Sequence, residues 1–129
     1  MPQARPRVFD LEVIVDFVFD DDLLFIQLRN IGDQPARRVS VKFDPEIRGL
    51  GGRKPMSKMR VFRNIEFFAP GKEISVFLDT GDAYFRGDQP KEIVATLAYT
   101  DAQGKRRSGE IRHDLRIYAD LGRVRPAGA

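Results

Sequence analysis

The sequence predicts an all-β protein: an immunoglobulin-like antiparallel β-sandwich of about seven strands with Greek-key connections. Three observations predict it. Apolar residues recur at every second position through some seven segments, the period of a strand with one buried face. Clusters of Gly, Pro, Asn and Asp separate those segments at short intervals, as sandwich turns require. No window of helix length carries a convincing apolar stripe. A small closed barrel is the alternative all-β solution.

The elements follow in order. Phe9, Leu11, Val13, Val15, Phe17 and Phe19 share one parity, and Asp10, Glu12, Asp16 and Asp20 hold the other with Ile14 and Val18 among them. This is a long first strand with a partly apolar outer face. Asp20-Asp21-Asp22 is a turn, because Asp favours turns and adjacent like charges resist pairing in a sheet. Residues 23–30 form the second strand, with Leu24, Ile26 and Leu28 inward and Phe25, Gln27 and Arg29 outward. Residues 30–36 are a loop, and residues 37–44 a third strand with Val39, Val41 and Phe43 inward.

Alternation then stops. Residues 45–59 contain Gly49, Gly51, Gly52 and two prolines and read as a long mobile loop. Extended character returns over 61–68, with Val61, Ile65 and Phe67 in phase. Ala69-Pro70-Gly71-Lys72 fits a type II turn. Residues 73–79 place Ile74, Val76 and Leu78 inward and Ser75 and Phe77 outward. The connection 80–90 brings Tyr84 and Phe85 to cap an open end of the core. Residues 92–100 have Ile93, Ala95, Leu97 and Tyr99 in phase, and Asp101-Ala102-Gln103-Gly104 is a hairpin turn. The last strand spans 106–118, with Ile111, His113, Leu115 and Ile117 on one parity. The expectation is one domain over 1–129, with an ordered core at about 8–120 and frayed tails.

At 129 residues, the chain can bury roughly two-thirds of its unfolded surface. The 42% apolar and 32% charged residues suit a globular domain with a solvated surface. Without cysteine there is no disulfide framework, thiolate metal site or Cys nucleophile. No apolar run is long enough to span a bilayer, and the first eight residues, with Arg5, Arg7 and two prolines, do not read as a signal peptide. The compartment stays open between the cytoplasm and a cell surface reached by a removed leader or anchor. The net charge of +3 is uneven: residues 10–22 hold six acids and no base, and residues 46–63 hold six bases and one acid. Opposite fields at the two ends of the domain are expected.

Three turn motifs carry a family resemblance. Asn30-Ile31-Gly32-Asp33-Gln34-Pro35-Ala36 with Val39-Ser40-Val41, then Phe68-Ala69-Pro70-Gly71-Lys72, then Tyr99-Thr100-Asp101-Ala102-Gln103-Gly104 resemble, in that order, the turns of CARDB-like and NEW3-like bacterial immunoglobulin-like domains. The resemblance frames residues about 9 to 120. It implies a non-catalytic attachment domain of cell-surface, secreted or membrane-anchored proteins.

Candidate sites are few. His113 is the only histidine, without the partners of a triad or a zinc site. Asp20, Asp21 and Asp22, joined by Asp79 or Asp101, supply oxygens of the kind Ca²⁺ takes, but without calcium-loop spacing. No catalytic residue, metal site or cofactor is assigned. Arg48, Arg53, Lys54, Lys58, Arg60 and Arg63 form a basic loop. Its Gly-rich start lacks the Ser or Thr and the following helix of a phosphate loop. Phe25, Phe62, Phe68 and Phe77 fall off the inward parity of their strands and form a candidate partner surface. The expected function is a non-enzymatic module that contacts another protein, a second copy of the chain included. The alternative is contact of the basic loop with a polyanion, nucleic acid or an anionic membrane surface. Nucleic acid is the less favoured partner because residues 45–59 hold no aromatic residue among their charges.

Overall fold

Strict alternation does what the pattern requires: Leu24, Ile26 and Leu28 are fully buried, and so are Val13, Val15 and Phe17 beside them. A computed structural model describes residues 11–121 of the chain. Phe9, Asp10 and the two expected frayed tails lie outside the described residues. Strands β1 (Val13–Asp20), β2 (Leu23–Asn30) and β7 (Glu73–Thr80) make one antiparallel sheet in the order β1-β2-β7. Strands β3 (Ala36–Asp44), β6 (Ile65–Phe68), β8 (Glu92–Thr100) and β9 (Arg106–Asp114) make the other, in the order β6-β3-β8-β9. A separate hairpin pairs β4 (Arg48–Gly49) with β5 (Lys54–Pro55). The chain changes sheets between β2 and β3, between β6 and β7 and between β7 and β8, and the two inner faces share one core. The fold is an immunoglobulin-like antiparallel sandwich with Greek-key links.

The expected turns form. Gly71 has φ +78°, and the Lys72 amide donates to the Ala69 carbonyl at 3.1 Å. At the β8–β9 turn Gly104 has φ +79° and donates to the Asp101 carbonyl at 3.0 Å. The acidic turn is a two-residue hairpin loop, with Asp21 at φ +50° and Asp22 at φ +63°. Two positive φ values match the right-handed twist of the flanking strands.

Residues 45–59 correct the sequence reading, because this segment is packed rather than presented as a free loop. Ile47 and Met56 are fully buried, and Gly49 is buried between them. A Cβ on Gly49 would overlap the Leu78 carbonyl oxygen of β7, so only glycine lets β4 lie against that strand. The Leu50 amide donates to the same carbonyl at 3.0 Å, and the Gly51 amide donates to the Asp79 carboxylate at 2.9 Å. The chain then passes through a 3₁₀ turn, Met56–Lys58, into the short helix α1 (Arg60–Arg63). There Phe62 is buried edge-on against Phe43, with ring centroids 5.2 Å apart. The segment runs from the edge of one sheet to the edge of the other and closes the core between them.

Helix α1 also resets the two-residue count, because a helical residue turns the chain by about 100° rather than 180°. Phe68, expected to face outward, is fully buried, and Phe67, expected inward, is 51% exposed. The same happens after β9. Residues Leu115–Tyr118 form a 3₁₀ turn rather than more strand, so Leu115 is buried and Ile117 is 65% exposed. In the 80–90 connection, helix α2 (Gly81–Arg86) carries Tyr84 fully into the core.

Truncating a buried aromatic costs about 3–5 kcal/mol, and changing an exposed apolar residue about 0.5 kcal/mol or less. Phe62→Ala should therefore lower unfolding free energy by about 3–5 kcal/mol in denaturant melts, and Leu50→Ala by no more than about 0.5 kcal/mol. Near-neutral Phe62→Ala would mean that the segment does not close the core.

Candidate functional site

The outer face of the three-stranded sheet is ordered by register. Four rows cross it: Ile14–Arg29–Glu73, Asp16–Gln27–Ser75, Val18–Phe25–Phe77 and Asp20–Leu23–Thr80. In the first, Arg29 and Glu73 form an exposed ion pair at 3.7 Å. In the second, the Gln27 side chain donates to the Ser75 hydroxyl at 3.2 Å. The third is wholly apolar. Phe25 and Phe77 meet edge to face, with centroids 5.8 Å apart, and Phe77 is 39% exposed. Val18 continues the row onto β1. Of the four off-parity phenylalanines, Phe25 and Phe77 thus lie together on one surface. Phe62 and Phe68 do not join them, since both are in the core. Phe67, assigned inward by parity, is the aromatic side chain that the sequence reading missed; on the other sheet it carries the Arg37 guanidinium 5.2 Å above its ring.

The basic residues keep their exposure. Arg48, Arg53, Lys54, Lys58, Arg60 and Arg63 are all exposed. None takes part in an ion pair within 4.0 Å among the described residues. A shallow cavity of about 420 Å³ lies among Lys54, Pro55, Lys58, Met59 and Arg60. The opposite-ends expectation needs correction. Leu23 pairs with Thr80, and Leu50 bonds to Leu78 two residues earlier on the same strand. The acidic turn and the basic hairpin therefore share one end of the sandwich.

The remaining candidates hold structural positions. The Asp79 carboxylate accepts from the Gly51 and Thr80 amides, each at 2.9 Å. The Asp101 carboxylate accepts from the Gln103 and Lys105 amides and from Arg107 Nε. The Lys105 amide and the Arg107 guanidinium hold the Asp101 carboxyl below its ordinary range. Asp101 lies in the β8–β9 turn, at the end opposite Asp20–Asp22, so those oxygens do not converge. Among the described residues no group of three His, Asp or Glu is placed to hold a metal ion. Also among the described residues, no helix is long and apolar enough to cross a membrane.

His113 bridges the sandwich edge. Its Nε2 donates to the Val15 carbonyl at 3.1 Å, and its ring lies edge-on to Phe17 with centroids 4.9 Å apart. Burial pushes its pKa below the ordinary histidine value, against the opposing pull of Asp16 and of the Val15 carbonyl. The native state thus favours the neutral ring, and the unfolded chain binds the proton more readily. The stability this contributes is present above about pH 6.5 and is lost as pH falls through the lowered native value. Thermal melts of the wild type should show a falling midpoint between about pH 7.5 and 5.5, with a shallower slope in His113→Gln. Equal slopes would remove this assignment.

No curated protein and no solved structure matches the chain. One family model does, over residues 2–119. The chain belongs to the family described as a domain of unknown function, DUF8453.

Proposed function

We propose that this domain is a non-catalytic binding module that contacts another protein through the outer face of its three-stranded sheet. The observation that carries this reading is the Val18–Phe25–Phe77 row. It is an apolar stripe three strands wide, rimmed by the polar Asp16–Gln27–Ser75 row on one side and by Asp20 and Thr80 on the other. An apolar centre inside a polar rim is the usual anatomy of a contact surface. His113 bonds to Val15, and Asp79 and Asp101 cap backbone turns, so each of these groups has a structural task. The sheet order and the three turns also support kinship with CARDB-like and NEW3-like domains, and with it a role as an attachment module.

Phe25→Ser with Phe77→Ser tests the surface. The double variant should stay folded by circular dichroism and lose at least tenfold in retention of a partner captured from native lysate. If the partner is a second copy, light scattering across a concentration series should show a wild-type dimer and a variant monomer. A wild type that is strictly monomeric and retains nothing, or a variant that binds equally well, would defeat the reading.

A second reading rests on the basic segment. Six exposed cations stand on a backbone pinned by Ile47, Met56 and Phe62, and pinned charges lose little freedom on meeting a polyanion. Binding to heparin or anionic vesicles should fall steeply from 50 to 200 mM salt, by the roughly 0.9 counterions released per neutralised phosphate on a duplex lattice. It should drop further in Arg53→Ala with Lys54→Ala. Absent or salt-insensitive binding excludes this reading.

A further inference from the structure

We propose that the cavity at the acidic end of the sandwich binds an organic ammonium group, on a free alkylamine or at the tip of a lysine-type side chain. This site shares no residue with the Val18–Phe25–Phe77 row, so the two proposals fail separately. The cavity has a volume of about 270 Å³ and is lined by Phe19, Asp22, Gly81, Asp82, Phe85, Arg86, Tyr118 and Ala119. That is just below the roughly 300 Å³ at which drug-sized pockets begin and suits a single slender group.

Its walls are held in place. Phe19 stacks on Tyr118 with centroids 5.8 Å apart and 20° between planes. The Tyr118 hydroxyl donates to the Phe17 carbonyl at 2.8 Å, which sets the phenol ring against β1. Phe85 packs edge-on to Tyr84 at 5.7 Å, and the Tyr84 hydroxyl donates to the Pro90 carbonyl at 2.6 Å. The Gly81 amide donates to the Asp22 carbonyl at 2.8 Å. A Cβ on residue 81 would stand 2.5 Å from a Phe19 ring carbon and 3.2 Å from Asp22 Oδ1. Glycine therefore lets an aromatic ring and a carboxylate close on one point.

The chemistry of that point is specific. Aromatic faces are electronegative and attract cations within about 6 Å of the ring centre. Asp22 is half-buried, and among the described residues its carboxylate has no hydrogen bond or ion pair. The local cation, Arg86, pairs instead with Asp82 at 3.1 Å on the exposed rim. An anion would meet the Asp22 carboxylate unfavourably. Ca²⁺ takes six to eight oxygens, more than these two carboxylates supply. An ammonium group on an apolar stem satisfies both the carboxylate and the rings.

The test is an amide-resolved NMR titration of the full chain with butylamine and with the peptide acetyl-Gly-Lys-Gly-amide. Saturable shifts are expected at Gly81, Asp82 and Ala119. Butylamine alone shifting them identifies a free amine as the source, and both doing so identifies a presented lysine side chain. Asp22→Asn keeps a residue that tolerates positive φ and should weaken binding by about fivefold, the scale of losing one partly exposed ion pair. Phe85→Leu keeps apolar volume and should weaken it by about threefold. The proposal is overturned if neither amine gives saturable shifts, if 1-butanol reproduces them, or if Asp22→Asn binds as tightly as the wild type.

Discussion

A three-stranded sheet cannot cover a four-stranded one, and the rest of this structure answers that mismatch. On the inner face of β3, Phe43 meets Phe17 of β1 edge-on with centroids 6.2 Å apart on one side and Phe62 of α1 on the other. Burying an apolar side chain of this size is worth about 1.5–3 kcal/mol, so the gap has to be filled. Residues 45–63 fill it, with Ile47 and Met56 from the hairpin region and Phe62 from α1. The hairpin reaches β7 through the Leu78 carbonyl and Asp79, and α1 reaches β3 through Phe43. Because this closure pins the backbone, the six cations of the segment project from a defined frame.

The polar interior is small and fully used. Asn30 is buried, yet its side chain donates to the Gln34 and Phe68 carbonyls and accepts from the Gly32 amide, each at 3.0 Å. Its backbone exchanges hydrogen bonds with Lys72 and Gly71. One residue thus ties the end of β2 to β6 and to the β6–β7 turn. Asp101 does the same within the β8–β9 turn. Among the described residues no buried side-chain nitrogen or oxygen lacks a partner, as expected where an unpaired buried group costs about 1–3 kcal/mol. The motifs that suggested a family likeness are therefore turn locks, and they inform on fold rather than on ligand.

Function has to be sought where side chains remain available. The apolar row on the outer sheet face, the basic segment and the aromatic cavity meet this condition in different ways. The last two gather at one end of the sandwich, where turn β1–β2, hairpin β4–β5 and helix α2 all meet the end of β7. That end carries acids, bases and aromatic rings in proximity. The opposite end carries the turns locked by Asn30 and Asp101.

The sequence by itself determined the seven main strands in outline, because alternation is a local property and each run of apolar residues selects its own face. It also determined the turns, since Pro70-Gly71, Gly104 and the paired aspartates each satisfy a backbone need within a few residues. It placed Phe25 and Phe77 on the outside for the same reason. Tertiary structure alone decided the rest. Helix α1 exchanged the faces of Phe67 and Phe68, the closure of unequal sheets turned a glycine-rich stretch into core, and the fold brought the acidic turn, Gly81 and Tyr118 around one cavity. Those outcomes depend on contacts between residues far apart in the chain, and no local period encodes them.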